Sequence, residues 1–468
     1  MSPSRRQFVE AAAACLAASW LGCGSSEEPG ATNRKPNIVL IMSDDLGYEA
    51  IGAYGGMSYA TPRIDELAAG GMRFTHAYAQ PLCTPTRLQL MTGEYNYRNW
   101  LGFGIMRPDE RTFGHQMQEA GYKTCISGKW QFYSYNPPTF EPEFRGLGMK
   151  PEQAGFDEWF VWHAGETEDK GSRYADPTIE ENGRIVPDTV GKYGPDLYVD
   201  YLNGFMERHK DEPFFAYYPM ALTHDPFNPT PRSADWAEGD RLKNDTKYFP
   251  DMVEYMDYCV GRVVGKLDEL GLREHTLVIY YSDNGSPLLT TSMMGERAIP
   301  GGKGAPTDAG TRVPLILNWP GHAPAGKVVD ALADSTDLYS TVLDAGGAQA
   351  PAGQPVDGVS LLPLARGERE HTKDVIICWH DPRPGAMKEA FTHLDLWARD
   401  KRFKLYEDGR LYDVPADVLE QHPIAAESGS PEAEAARAKL QAALDKIPED
   451  RRGPNWDPYA GSRQVLAR

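Results

Sequence analysis

The chain has 468 residues, 67 of them acidic against 48 basic, with a formal net charge of −19 and a pI near 5.1. That length exceeds a single core of about 250–300 residues, so a large domain followed by a smaller C-terminal one is expected. The acidity argues against nucleic acid as a partner, because phosphate binding requires a basic face, and any anionic substrate must be held by a local cluster of cations.

Residues 1–33 read as an export signal and tether. Ser4-Arg5-Arg6-Gln7-Phe8-Val9 precedes an apolar, Ala-rich stretch from Ala11 to Leu21. The pattern resembles a twin-arginine export signal and is too short to span a bilayer permanently. Trp20-Leu21-Gly22-Cys23 resembles a lipoprotein processing site, with Trp20 a poor match to the usual aliphatic residue. The expectation is an exported protein, either periplasmic or anchored to the membrane through a lipidated Cys23. Beyond Cys15 and Cys23, the cysteines Cys83, Cys125, Cys259 and Cys378 lack the spacing of a disulfide framework or a zinc site. Cys125 and Cys259 read as buried thiols.

The apolar run over 37–43 is expected to be a strand covered on both faces, and it ends in Asp44-Asp45. Thr61 as cap and Pro62 at the first position open a helix through Ala69, closed by Gly70-Gly71. Helices over 112–120, 196–209 and 249–270 each precede a strand, at 122–127, 214–222 and 276–282, the last ending in Asp283-Asn284. This alternation predicts an α/β fold for residues 34–373, with a large, mainly parallel mixed sheet sandwiched by helices. Ligands in such sheets gather outside the carboxyl ends of the strands, where Asp44, Asp45, Asp283 and Asn284 fall. From 374 to 468 the segments are shorter, at 375–379, 389–394, 403–406 and 410–414, with a charged helix over 431–446. They predict a small C-terminal antiparallel sheet with a packed helix. The stretches 135–142 and 166–190 lack periodicity and are expected to be surface insertions.

Cys83-Thr84-Pro85-Thr86-Arg87, continuing to Thr92-Gly93, resembles the sulfatase signature C-x-P-x-R with its trailing T-G. Upstream, the run from Pro36 to Gly47 is similar to the strand that supplies two metal carboxylates in that family. Downstream come Gly128-Lys129-Trp130, Thr223-His224-Asp225-Pro226-Phe227, Ser282-Asp283-Asn284-Gly285, Gly301-Gly302-Lys303-Gly304 and Gly310-Thr311-Arg312-Val313-Pro314, in the family's order. From Pro36 to about Asp413 the chain thus resembles the type I formylglycine-dependent sulfatases, arylsulfatase-like members of the alkaline-phosphatase superfamily. The resemblance implies a sulfuric ester hydrolase whose Cys83 is oxidised to formylglycine by a dedicated maturation enzyme. It also implies a metal site of Asp44, Asp45, Asp283, Asn284 and position 83.

The same residues make chemical sense together. Three carboxylates and an amide oxygen form an all-oxygen site for a hard divalent cation; Ca²⁺ tolerates crowded, irregular coordination better than Mg²⁺, the alternative. Helix capping alone would account for Asp44-Asp45 but poorly for Asp283 and Asn284. The hydrate of formylglycine offers two hydroxyls, one to attack sulfur and one to collapse to the aldehyde and expel sulfate, whereas a plain serine would be left holding an inert ester. Arg87 would stabilise the charge of the nucleophile, Lys129 and Lys303 would grip the sulfate oxygens, and His224 is the candidate general acid. Against three carboxylates, Ca²⁺, Arg87, Lys129 and Lys303 leave about two positive charges for the sulfate.

The chain departs from the family at Gln131, which stands where a His usually follows Gly-Lys-Trp. Gln131 can hydrogen-bond but cannot accept a proton at neutral pH, so slower regeneration of the aldehyde, or a substitute base, is expected. Thr86 in place of Ser, and Asp308-Ala309 in place of Glu-Gly, are minor changes. Two other functions compete: a phosphate or phosphonate ester hydrolase, and a catalytically impaired lipoprotein that binds sulfated glycans. Cys83 and a single metal set favour sulfate. The substrate is expected to be a sulfated small molecule or glycan. Trp100, Trp130, Trp159, Trp162 and Trp379 could stack sugar rings, which favours carbohydrate. His163, His380 and Arg383 are weaker candidates for the same rim.

Overall fold

The structure, a computed structural model, describes residues 34–133, 146–162, 171–383, 394–426, 429–453, 456–458 and 460. The export segment, Cys23 and His163 lie outside the described residues. Residues 36–468 belong to one compact unit.

In chain order the strands are β1 (Asn37–Ser43), β2 (Met72–Tyr78), β3 (Lys123–Lys129), β4 (Glu158–Trp162), β5 (Glu180–Glu181), β6 (Arg184–Ile185), β7 (Phe214–Pro219) and β8 (Thr276–Ser282). They continue with β9 (Thr291–Met294), β10 (Arg297–Pro300), β11 (Leu315–Asn318), β12 (Lys327–Asp334), β13 (Ile376–His380), β14 (Asp395–Arg399), β15 (Phe403–Tyr406) and β16 (Leu411–Asp413). Among the described residues, ten strands form one sheet in the order β12-β2-β11-β8-β1-β7-β3-β4-β5-β6. β1 lies near the middle, parallel to both neighbours, with Ile38 opposite Phe215 on β7 and Leu277 on β8. β3 is parallel to β7 and β4, and β2 to β12, whereas β11 runs antiparallel to β2 and β8. The sheet is therefore mixed and mainly parallel, as expected.

Every residue of β1 is buried. Ile38, Leu40 and Met42 enter one core while Val39 and Ile41 enter the other, because successive strand side chains point to opposite faces. Each of these burials is worth roughly 1.5–3 kcal/mol. The helices Pro62–Ala69, Gly194–Arg208 and Phe249–Glu269 cover the Val39 face, and Cys83–Thr92, Phe113–Glu119 and Ser335–Gly346 cover the other. The helix at Pro62 begins where expected but is not capped by the Thr61 side chain. Asp257, from the neighbouring helix, accepts hydrogen bonds from the Arg63 and Ile64 amides at 3.0 and 2.9 Å instead.

β13 to β16 form a four-stranded antiparallel sheet against which the helix Pro431–Leu444 packs. Of the strand expected at 389–394, residues 389–393 lie outside the described residues. This small sheet is tied to the larger one. Arg399 donates to the Asp308 carboxylate, Lys404 Nζ donates to the Pro306 carbonyl, and Cys378 Sγ donates to Gln80 Oε1 at 3.3 Å.

The expectation of a surface insertion at 166–190 fails for the first half of its described part, where Arg173, Tyr174, Ala175 and Ile179 are buried, whereas residues 181–185 are exposed. Cys125 and Cys259 are buried free thiols. No helix among the described residues is long and apolar enough to cross a membrane.

Candidate active site

The carboxyl ends of β1, β7 and β8 are stitched together by their own backbones. The Asp44 amide donates to the Leu222 carbonyl at 2.8 Å, the Thr223 amide to the Asp44 carbonyl at 2.7 Å, and the Leu46 amide to the Asn284 carbonyl at 3.0 Å. Asp45 takes a left-handed φ of 64°, which Asp tolerates better than most residues. Its amide donates to Asp283 Oδ1 at 3.0 Å. Two chain segments some 240 residues apart thereby place Asp44, Asp45, Asp283 and Asn284 side by side, all fully buried.

Cys83 is the first residue of the helix Cys83–Thr92, so its side chain sits among the unpaired amides at the positive end of the helix dipole. Thr86 Oγ accepts from the Gln80 amide at 2.9 Å and donates to the Leu82 carbonyl at 3.1 Å, fixing the approach to the helix. Gln131 Nε2 donates to Cys83 Sγ at 2.9 Å. One turn on, Arg87 grips Asp283 Oδ2 through Nε at 3.0 Å and Nη2 at 2.7 Å, with Asp44 Oδ1 3.5 Å away.

Lys129 ends β3 and donates to both oxygens of Asp44, at 3.1 and 2.8 Å. Gly128 before it has φ 136°, and a Cβ there would lie 2.0 Å from the Pro219 carbonyl oxygen, so only glycine permits this approach of β3 to β7. Lys303 Nζ donates to Asp45 Oδ2 at 2.6 Å and lies 2.9 Å from His224 Nε2. His224 Nδ1 lies 2.6 Å from the Asp225 carbonyl and 2.9 Å from its carboxylate, which assigns the proton to Nδ1 and leaves Nε2 facing Lys303.

The charges are strongly coupled. Burial alone would raise Asp44, but Lys129, His224, Arg87 and Arg173 hold it well below the usual carboxylate range. Burial and the Asp44 charge push Asp283 upward despite Arg87. Burial, with Lys303 beside it, lowers His224. A divalent cation fits this set on two observations. Asp44, Asp45 and His224 each offer a ligand atom within 4.8 Å of the others, and Asn284 Oδ1 is buried without a hydrogen-bond partner.

Residues 36–348 match the sulfatase family model, and residues 306–450 match the model described as N-sulphoglucosamine sulphohydrolase, C-terminal. The chain is 30% identical to N-acetylgalactosamine-6-sulfatase of Canis lupus familiaris, covering 75% of this chain and 69% of that protein. It is 32% identical to arylsulfatase A of Homo sapiens, covering 72% of this chain and 69% of the relative. The chain belongs to the sulfatase family.

This sulfatase is therefore a sulfuric ester hydrolase. Its fold superposes on the crystal structure of Ps i-CgsB with a TM-score of 0.72 at 27% identity, over 92% of this chain and 97% of that one. In the sulfatase the sequence-identified residues Asp44, Asp45, Arg87, Lys129, His224, Asp283, Asn284 and Lys303 are joined in one network of direct contacts, and Cys83, held by Gln131, lies one helical turn from Arg87.

The expected aromatic rim is not there. Trp100, Trp130, Trp162 and Trp379 are buried, and Trp159 is a partly buried side chain packed against the core. Large apolar rings gain more from the two cores than from solvent at a cleft edge. His380 is fully buried, and Arg383 is taken up by Asp381 at 2.8 Å.

Arg173 is the site residue that sequence reasoning missed. Its guanidinium stacks 4.0 Å over the Trp162 ring, and Nη1 lies 3.9 Å from Asp44 Oδ2, buried and without a hydrogen-bond partner. Arg87 Nη1 and Gln131 Oε1 are buried without partners as well. Of these four unsatisfied polar atoms, counting Asn284 Oδ1, the two guanidinium nitrogens suit the oxygens of an anion and the two amide oxygens suit a cation or a hydroxyl donor.

Proposed function

We propose that this sulfatase removes sulfate from sulfated carbohydrates with a formylglycine made from Cys83 beside a Ca²⁺ ion, Mg²⁺ being the alternative. The observation that carries the reading is Cys83 itself, a buried thiol at a helix N-terminus, 2.9 Å from Gln131 and one turn from an arginine paired with Asp283. When present, the formylglycine hydrate supplies the attacking hydroxyl, and the ion, held by Asp44, Asp45, Asp283 and Asn284, supplies the charge that acidifies it.

The chain's own residues do the rest. Lys129, Lys303 and Arg173 hold the sulfate oxygens, and Arg87 fixes Asp283 while adding positive charge beside position 83. His224, oriented through Nδ1 by Asp225, would carry a proton to the leaving oxygen through Nε2, the nitrogen that faces Lys303. With Arg173 counted, the excess of formal positive charge facing the sulfate rises to about three.

Carbohydrate is supported by relatives named N-acetylgalactosamine-6-sulfatase and by the complex of Ps i-CgsB with k-i-k-neocarrahexaose. Residues 4–23 support action outside the cytoplasmic membrane, after encounter with a maturation enzyme, with Cys23 as an attachment point.

The test is mass spectrometry of the peptide carrying position 83, on protein from an exporting host, paired with sulfate release from sulfated saccharides and phosphate release from matched phosphate esters. Formylglycine with preferential sulfate release is expected. Full activity with unmodified Cys83, or faster phosphate release, would overturn the reading.

A further inference from the structure

A second cavity, of about 730 Å³, is lined by three arginines from separate parts of the chain: Arg73 on β2, Arg297 on β10 and Arg312 after the glycine-rich loop. None of the three has a carboxylate within 4.0 Å among the described residues, although the chain carries 67 acidic residues against 48 basic. Glu296 is the one carboxylate in the lining. Glu49 and Asp308, the other acidic groups whose charge Arg312 senses, are engaged elsewhere, Glu49 by Ser286 Oγ at 2.5 Å and Asp308 by the Arg399 guanidinium.

Two of the guanidinium groups are held in place. Arg312 donates through Nε and Nη2 to the Thr75 carbonyl, at 3.1 and 2.7 Å, and lies 4.3 Å from the Tyr48 ring centre. Arg73 lies 5.1 Å from the ring centre of Tyr54. That tyrosine is itself fixed, since its hydroxyl donates to the Leu315 carbonyl at 2.7 Å and accepts from the Leu315 amide at 2.8 Å. Cations stacked on anchored rings have already lost much of their rotamer freedom, so less is lost when an anion arrives.

We propose that this cavity is a second anion-binding site, distinct from the catalytic one, which takes a sulfate group of a sulfated saccharide. Formal charges give it an excess of two positive charges, within a protein of net charge −19 that otherwise repels polyanions. Its volume falls in the range of small-ligand pockets, about 300–1,000 Å³, enough for a sulfated sugar unit. Guanidinium forks match the oxygens of sulfate in pairs. The saccharide as ligand rests on the carbohydrate reading above, and free inorganic sulfate is the other source of the same chemistry.

Binding would be measured by titration calorimetry on Cys83→Ala protein, with a sulfated oligosaccharide and, separately, inorganic sulfate. Arg73→Gln/Arg297→Gln and the single Arg297→Glu are compared in the same background; both positions are at least partly solvent-exposed, and equal melting temperatures confirm folding. Two oligosaccharide sites per chain are expected, falling to one in the variants, with the lost site weakened about tenfold or more. If inorganic sulfate shows the same loss at equal affinity, the anion site stands and its ligand is the free ion. Unchanged stoichiometry and affinity for both probes in both variants would overturn the proposal. Hydrolysis of nitrophenyl sulfate by the same variants with Cys83 intact should be unchanged, and it reports separately on the catalytic reading.

Discussion

Gln131 Nε2 donates to Cys83 Sγ at 2.9 Å, while Gln131 Oε1 is buried without a partner. An amide here can orient a hydroxyl at position 83 but cannot remove its proton. Gln131→His is expected to raise kcat about tenfold or more under steady-state conditions, because general bases contribute roughly 10²–10⁴-fold. An unchanged kcat would assign proton removal to another group.

His224 should matter in proportion to how poor the leaving group is. His224→Ala is expected to lower kcat/KM on a carbohydrate sulfate by about 10²-fold or more, and on nitrophenyl sulfate by less than about tenfold. Equal losses on both substrates would make it a binding residue.

Arg173→Ala is expected to lower kcat/KM by about 10²-fold, the scale of losing one preorganised donor. Arg173→Lys should recover part of this, because it restores the charge without the planar stack on Trp162. Full activity in the alanine variant would limit Arg173 to packing.

Removal of divalent cations should destabilise the protein independently of turnover. Three buried carboxylates lose the counter-charge that holds them together, and an ion at 100 times its Kd contributes about 2.7 kcal/mol. Chelation is expected to lower Tm by a few degrees and Ca²⁺ to restore it, with Asp45→Asn insensitive to both. A wild-type Tm indifferent to chelator would remove the cation from the site.

Glu49 makes a pH prediction. Burial, against the Ser286 hydrogen bond, pushes its carboxyl up from the ordinary 4.5 to about 7. The folded state therefore holds the proton more tightly than the unfolded chain, and this contribution is complete below pH 4.5 and lost as pH rises to about 7. Relative to Glu49→Gln, the wild type should lose on the order of 3 kcal/mol across that window, at about 1.4 kcal/mol for each unit of pKa. Parallel stability curves for the two proteins would refute it.

Much of the large sheet was legible in sequence because its central strands are apolar throughout and end in acidic or amide residues. β1 and β8 occupy the expected residues, and the long helix starts at the expected Phe249. β11, with four residues, and the part-exposed β2 carry too little pattern to be read. Site residues inside recognisable motifs were found. Arg173 was not, because it lies in an irregular stretch and reaches the site only through its stack on Trp162. The tryptophans were misplaced for the opposite reason, since composition does not say which face a ring occupies.

The bonds from Arg399 and Lys404 to Asp308 and Pro306 make the C-terminal sheet a splint for the loop that presents Lys303. Deleting residues 374–468 would leave every sequence motif of the active site in place, yet free that loop from its clamp. A shortened chain should therefore keep its signatures and lose its grip on sulfate, so motif content alone overstates which truncated relatives still work.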